Sequence, residues 1–429
     1  MGLYFGTDGI RGVANGELTP DVAFKCGNAL ARAGAKKIIV GRDTRQSGDM
    51  LTLALAAGAT SGGCDVDDVG VLPTPGIAFL TEALDARFGV VISASHNPPE
   101  FNGIKIFSDL GIKLSDTEEG VIESYMSTST LAESGNIGRY CQRRATEIYR
   151  AFLADSVKGS LSGLKFVLDC SNGATSKTAP KVFSALGAEI IPLSCRTDGK
   201  SINQNCGSLH PENAAQKVLD CHADAGFCFD GDGDRLIAVD EKGRIVDGDE
   251  ILYALAVLFK GRKLLKNDVA VGTSHTNMGV EKALAKEGIS LLRADIGDKY
   301  VNALMSQKGA SLGGEQSGHI IIRHLLSTGD GVLTALQLAA ELKNKKMSEL
   351  CSASLYPQTN IDIVVKDKML VINHTDLWNR VAKLSDGFDG RILVRASGTE
   401  PKIRIMTECS DAEKGRKAAS ELAELVKNI

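Results

Sequence analysis

Short apolar runs alternate with amphipathic stretches along most of the chain. From Leu18 to Arg32 the spacing is helical, Lys36-Lys-Ile-Ile-Val-Gly41 is a strand pattern, and Met50 to Ala59 is helical again. Asp65-Val-Asp-Asp-Val-Gly-Val71 is the next strand pattern. A further helix leads from it to the apolar run Phe88-Gly-Val-Val-Ile92. Strands alternating with helices predict an α/β layer on a largely parallel sheet.

Beyond Tyr149 the grammar restarts, with strands at Lys165-Phe-Val-Leu-Asp169, Ala188-Glu-Ile-Ile-Pro192 and Gly226-Phe-Cys-Phe229 and a helix from Glu212. After Gly248 it restarts again. A helix, strands from Asp268 to Val271 and from Ile289 to Arg293, a helix near Asp298 and a strand from Ala310 to Leu312 follow in order. Leu53-Ala-Leu-Ala-Ala-Gly58, Val182-Phe-Ser-Ala-Leu-Gly187 and Ala283-Leu-Ala-Lys-Glu-Gly288 look like faint copies of one another. Each reads as a helix closed by Gly and followed by a strand. The last stretch differs: strands at Ile361 to Val365, Arg391 to Arg395 and Ile403 to Met406, a helix from Leu377 to Leu384, and a final helix opened by the capping box Ser410-Asp-Ala-Glu413. This predicts a small α+β unit. The expected domains are 1–150, 151–250, 251–357 and 358–429.

Each of the first three units ends a strand in one polar loop, near Ser95, Asp230 and Gly313. Ligands of open α/β sheets gather outside strand ends, so the three loops are expected to face one cleft. In Ser93-Ala-Ser-His-Asn-Pro-Pro-Glu-Phe-Asn-Gly-Ile-Lys105, Ser95 sits at a strand-loop-strand tip and Pro98 keeps the loop out of a helix. A hydroxyl presented there, with His96 beside it and Lys105 downstream, is a candidate nucleophile or phosphate carrier. A plain surface turn has the same composition.

Composition narrows the class. The chain has 429 residues, 43% apolar and 24% charged, which suits three or four soluble domains. A net charge of -4 without a basic block recommends neither nucleic acid nor a membrane surface as partner. The most apolar stretch, Ile251 to Phe259, is too short to span a bilayer, and no secretion signal precedes the first motif. The 10 cysteines are scattered without a Cys-x-x-Cys pair, so reduced thiols and a cytoplasmic location are expected.

Asp230-Gly-Asp-Gly-Asp234-Arg235 is the strongest metal signal, because three carboxylates spaced by two fold onto one hard cation. An EF-hand loop needs Gly where Arg235 stands and helices where strand patterns flank. Mg²⁺ fits best, bound by few carboxylates plus a phosphate oxygen. Arg395-Ala-Ser-Gly-Thr-Glu-Pro-Lys-Ile-Arg404 offers arginine forks, hydroxyls and free amides for a phosphate, although a β-hairpin turn would read similarly. Gly313-Gly-Glu-Gln-Ser-Gly-His319 offers Glu315 and Ser317 for sugar hydroxyls and His319 for proton transfer. Phe5-Gly-Thr-Asp-Gly-Ile-Arg-Gly12 places Arg11 among glycines as an anion contact. Neither Gly-x-Gly-x-x-Gly nor a Walker A sequence occurs. One serine, one divalent site, a phosphate cradle and a sugar loop together suggest phosphoryl transfer through a phosphoserine, with the metal neutralising the moving charge.

With five motifs in order, the chain resembles the α-D-phosphohexomutases, most of all their glucosamine-phosphate mutases. The motifs are Gly6-Thr-Asp-Gly-Ile-Arg-Gly12, Ser93-Ala-Ser-His-Asn-Pro98, Asp230-Gly-Asp-Gly-Asp-Arg235, Gly314-Glu-Gln-Ser-Gly-His319 and Arg395-Ala-Ser-Gly-Thr-Glu-Pro401. The finer resemblance rests on Gln316 and on Val13-Ala-Asn-Gly-Glu-Leu-Thr-Pro20.

The resemblance implies a heart-shaped architecture of three related mixed-sheet α/β domains plus a smaller C-terminal α+β domain. It implies a phosphorylated Ser95 that interconverts glucosamine 6-phosphate and glucosamine 1-phosphate, for UDP-N-acetylglucosamine synthesis. Ser95, Asp230, Asp232 and Asp234 would hold one Mg²⁺, and a hexose or hexosamine 1,6-bisphosphate would be the intermediate and activator. Catalytic roles would fall to Ser95, Arg11, Lys105 and His319. Arg235, Glu315, Ser317, Arg395, Ser397, Gly398, Thr399 and Arg404 would bind substrate. A homodimer is an allowed assembly.

One position departs from the family pattern. Arg293-Ala-Asp-Ile-Gly-Asp-Lys-Tyr300 puts Asp295 where relatives often carry a proton-transferring Lys, which leaves Arg293, Lys299, Lys105, His319 and Asp295 as alternatives. Mannose- or glucose-directed mutases of the same family, a hydrolase phosphorylated on the Asp230 loop and a non-catalytic sugar-phosphate binder are the competing readings.

Overall fold

The computed structural model describes residues 4–6, 8–128, 132, 135–397 and 400–429. Two compact units emerge: residues 1–275 with 289–352, and residues 276–288 with 353–429.

The larger unit repeats one topology three times. In the first sheet Asp65–Val71, Lys37–Arg42, Phe88–Ile92 and Phe101–Ser108 lie side by side. The first three are parallel, and the fourth returns antiparallel to Phe88–Ile92. The second sheet has the same order with Glu189–Leu193, Lys165–Asp169, Ala225–Phe229 and Leu236–Val239. The third has it with Ser290–Ala294, Val269–Thr273, Leu312–Gly314 and Ile320–Ile322. The sheets are mixed, as the resemblance implies, and not as largely parallel as the strand–helix pattern alone suggests, because a hairpin return closes each repeat. The Ser95, Asp230 and Glu315 loops occupy the three hairpin tips. Phe88–Ile92 is buried at every position, as a central strand covered on both faces should be.

Local chemistry explains most element boundaries. Thr19 caps Pro20–Arg32 by accepting from the Val22 amide, with Pro at the first position and Asp21 in the first turn. One of the three helix copies differs from its sequence reading. Gly187 and Gly288 follow their helices with positive φ, but Gly58 lies inside Gly48–Ser61, which runs on to Gly62. A Cβ on Gly58 would stand 2.0 Å from the Phe24 carbonyl oxygen, so Gly58 serves close packing of two helices.

The smaller unit is a three-stranded antiparallel sheet, with Lys402–Cys409 between Gln358–Val364 and Gly390–Ala396. The helix Ala412–Asn428 buries Leu422 and Val426 with Ile403, Ile405 and Leu377. Its cap is Asp411, which accepts from the amides of Glu413 and Lys414, and the expected box at Ser410 does not form. The carboxylate one residue later reaches the first-turn amides better and adds charge at the positive helix end. The helix Met278–Lys286 belongs to this unit. Boundaries at 150 and 250 fall inside the helices Thr146–Asp155 and Gly248–Gly261.

All 10 cysteines are free thiols, and Cys228 and Cys170 are buried as small apolar groups. No helix among the described residues is long and apolar enough to cross a membrane.

Candidate active site

Ser95 is held in the left-handed region, at φ 51°. A non-glycine residue stays there only where its surroundings over-determine it. Its amide donates to Ser93 Oγ (2.9 Å), and Ser93 Oγ donates to Asp43 Oδ2 (2.5 Å). Arg45, its side chain fully buried, spends both Nη groups on this turn. Nε pairs with Asp43 (2.9 Å), Nη1 donates to the carbonyls of Pro98 and Phe101, and Nη2 donates to those of Ser95 (3.0 Å) and Asn97 (2.7 Å). Asn203 from the second repeat adds bonds to the same Ser95 and Asn97 carbonyls, at 2.8 and 3.0 Å. Neither Arg45 nor Asn203 stood out in the sequence, since nothing local marks their long-range carbonyl contacts.

The Ser95 hydroxyl donates to Asp230 Oδ2 at 2.7 Å. Asp230, Asp232 and Asp234 are buried together on the tip of the Ala225–Phe229/Leu236–Val239 hairpin, each with a carboxylate oxygen within 4.8 Å of the others. The strand flanks dispose of an EF-hand. Gly231 lets the hairpin tip close on the serine turn, since a Cβ there would meet the Ser95 carbonyl oxygen at 2.6 Å. Backbone bonds fix the rest: Thr74 N to Asp232 O (2.8 Å), Gly331 N to Gly233 O (3.0 Å) and Leu236 N to Gly318 O (3.0 Å).

The electrostatics is that of a preorganised cation site. Burial, then Asp234 and Asp232, pushes Asp230 well above the usual carboxylate range. Burial, with Asp234 at Asp232, also opposes charge on Asp232 and Asp234, but Lys105 and a hydrogen bond with Asp230 at the first, and Lys105, His319 and Arg235 at the second, together lower both. Asp232 Oδ1 and Asp234 Oδ1 are buried without a hydrogen-bond partner among the described residues. Two orphaned carboxylate oxygens in an all-oxygen trio are the donor set that a hard divalent cation satisfies.

The remaining expected residues divide. Lys105 is buried, 2.9 Å from Asp232, 3.4 Å from Asp8 and 3.8 Å from Asp234. Burial disfavours its charge, yet these carboxylates overcome that and raise its pKa. His319 is also buried. The Gly329 amide donates to its Nε2 (3.2 Å), which leaves the ring proton on Nδ1, facing Asp234 Oδ2 at 3.5 Å. That geometry orients a carboxylate of the trio, while the ring also lines a cavity with Lys113, Asp298 and Thr328. Arg11 pairs with Asp8 (2.7 Å) and reaches Asn97 Oδ1 (3.2 Å).

Arg235 approaches His96 Nδ1 at 3.3 Å, and that same nitrogen lies 3.4 Å from Ser95 Oγ. Burial, Arg235 and Arg11 push His96 down to about 4, so it is neutral near pH 7. In the third hairpin tip Glu315 accepts from the Gly297 amide (2.9 Å) and Ser317 is exposed. Gln316, on which the finer resemblance rests, turns to Asp247 Oδ2 (3.2 Å), the cap of Gly248–Gly261. Lys299 is paired with Asp116, Arg293 donates to the Thr273 carbonyl (3.0 Å), and Asp295 is exposed.

In the smaller unit, Arg395 and Arg404 are cross-strand partners, Ser397 is buried and Arg404 Nη2 pairs with Glu400 at 3.0 Å. Burial and the neighbouring Arg404 lower the pKa of Arg395. Gly398 and Thr399 lie outside the described residues.

Comparison with known proteins agrees with this geometry along the whole chain. Residues 2–133, 140–243 and 247–357 match the alpha/beta/alpha domains I, II and III of phosphoglucomutase/phosphomannomutase, and residues 379–425 match its C-terminal domain. A phosphoglucosamine mutase of Carboxydothermus hydrogenoformans is 46% identical over 100% of both chains. One from Staphylococcus aureus is 44% identical over 100% of this chain and 99% of its own. The crystal structure of a phosphoglucomutase/phosphomannomutase family protein from Burkholderia thailandensis superposes with a TM-score of 0.85 at 27% identity, covering 99% of this chain and 97% of that one.

Proposed function

The chain belongs to the phosphoglucomutase/phosphomannomutase family, and from that premise we propose that it is an isomerase interconverting glucosamine 6-phosphate and glucosamine 1-phosphate in the cytoplasm. The observation that carries this reading is the Ser95 hydroxyl 2.7 Å from a carboxylate of the buried trio. The full-length match to glucosamine-directed relatives supports the amino sugar.

In the resting enzyme Ser95 carries the phosphoryl group. A sugar hydroxyl attacks it: the bond from phosphorus to Ser95 Oγ breaks, one to the sugar oxygen forms, and the hydroxyl proton leaves to a base. The bisphosphate so formed returns its other phosphoryl group to Ser95, which regenerates the enzyme and releases the isomer. Arg45 and Asn203 hold the Ser95 carbonyl so that the turn keeps its shape as its charge changes by roughly two units. Lys105 supplies fixed positive charge behind the trio, and neutral His96 adds none. Asp230, Asp232 and Asp234 would hold Mg²⁺, with an oxygen of the Ser95 phosphate completing the shell; when bound, the ion neutralises charge on the transferring group. Glu315 and Ser317 are assigned to the sugar hydroxyls, and Arg395, Ser397 and Arg404 to a phosphate.

Catalytic efficiency measured side by side on glucosamine 6-phosphate, mannose 6-phosphate and glucose 1-phosphate tests the substrate. The amino sugar should be preferred, and equal or better use of either neutral sugar would overturn the assignment.

A further inference from the structure

A second polar groove lies on the larger unit, its five cations Arg42, Arg143, Arg144, Arg150 and Lys181 outnumbering the lining carboxylates Asp68 and Glu147, with room for about 840 Å³. Its charges do not balance. Arg42 is engaged by Asp49 (2.7 Å) and Asp68 (2.8 Å), Arg143 by Asp67 (2.8 Å), and Arg150 by Glu147. Arg144 and Lys181 are exposed and have no ion-pair partner among the described residues. Arg150 Nε is buried with no hydrogen-bond partner, although the rest of that guanidinium is bound. The helix Thr146–Asp155 opens onto the same wall, and its cap, Ala145, has no side chain to accept from the first-turn amides.

The groove continues into a hollow of about 410 Å³ that shares Glu147, Arg150 and Lys181 and is otherwise walled by Ala151, Ala154, Val182 and Ala185. One end is therefore cationic with spare donors, and the adjoining end is a small-residue apolar shelf.

We propose that this groove binds a nucleoside diphosphate. The diphosphate lies against Arg144, Lys181 and the open first turn at Thr146, and the base lies flat on the alanine shelf. A guanidinium fork and a helix N-terminus each suit phosphate oxygens, and two unspent cations offset most of the roughly three negative charges of a diphosphate. The shelf gives a reason to prefer a nucleotide over the bare anion. A nucleic-acid strand is a poorer occupant, because Asp49, Asp67, Asp68 and Glu147 interleave with the cations. The site uses no glycine-rich phosphate loop, which is why no nucleotide motif announces it.

Titration calorimetry on the full chain in magnesium-free buffer, with ADP, pyrophosphate and adenosine as probes, tests the proposal. ADP should bind at least about tenfold more tightly than pyrophosphate, and adenosine should not bind detectably. The double variant Arg144→Glu, Lys181→Glu should weaken ADP at least about tenfold with melting temperature and mutase turnover unchanged. Arg404→Ala, in the substrate-phosphate segment, should leave ADP binding intact. The proposal is overturned by absence of ADP binding, by pyrophosphate binding as tightly as ADP, or by ADP binding that is lost in Arg404→Ala and kept in the double variant.

Discussion

Arg45 donates to the backbone carbonyl of Ser95 at 3.0 Å from a guanidinium with no solvent exposure. One side chain thus organises the turn that presents the hydroxyl, and it does so through carbonyls that no other cation reaches among the described residues.

Replacing that clamp should damage turnover and stability together. Arg45→Met takes the countercharge from Asp43 and one donor from each of four carbonyls, two of which keep only Asn203, at a cost of about 3–5 kcal/mol for a broken buried ion pair. Displacing a reacting group by about 1 Å costs about 100-fold, so kcat should fall by at least that much while KM for the sugar phosphate changes little. Thermal melting and steady-state kinetics measure both. A variant with wild-type kcat would show that the Ser95 turn holds its shape unaided.

His319 separates two roles that its sequence position left open. If it orients Asp234, His319→Ala should raise the half-activating Mg²⁺ concentration about 10- to 100-fold, and saturating Mg²⁺ should restore most of kcat. If it exchanged protons with the sugar, kcat would stay low at every Mg²⁺ concentration. Removal of Mg²⁺ by chelation should abolish turnover reversibly in the wild type.

Asp330 should impose a pH dependence on folding. It caps Gly331–Ala339 through the Leu333 amide (2.9 Å) and accepts from the Tyr149 hydroxyl (2.7 Å). Burial raises its pKa to about 6. The folded value lies above the unfolded value of about 4, so the folded state holds the proton more tightly. The stability contribution is full below pH 4 and is lost as pH rises through 6, amounting to about 2–3 kcal/mol. Asn keeps the acceptor for the Leu333 amide and donates its own N–H to the Tyr149 oxygen, without the charge. The stability difference between Asp330→Asn and wild type should therefore grow across that window, as measured by denaturant unfolding at several pH values. Parallel curves would contradict it.

Much of this site was legible in the sequence because its chemistry sits in contiguous loops. Ser95 follows an apolar strand, and Asp230, Asp232 and Asp234 alternate with glycine, so residue type and spacing alone indicate a carrier and a cation. What was not legible depends on partners far along the chain. Arg45 acts on carbonyls 50 and 52 residues away, and Gln316 turns to Asp247, 69 residues away. Lys105 looked reactive beside Ser95, but carboxylates from Asp8 and the Asp230 loop hold it as a cation. The pattern of apolar runs alone gave largely parallel sheets for a similar reason, and only the resemblance implied mixed ones: the returning strand Phe101–Ser108 carries Asn102 and Lys105, whose burial only the neighbouring loops make tolerable.

The central claim is that Ser95 carries the phosphoryl group. Intact-protein mass spectrometry with peptide mapping tests it most directly. One phosphate should map to Ser95 in the wild type, exchange with labelled sugar phosphate, and vanish in Ser95→Ala together with turnover. A Ser95→Ala enzyme that still interconverts the sugar phosphates at the wild-type rate would contradict the account.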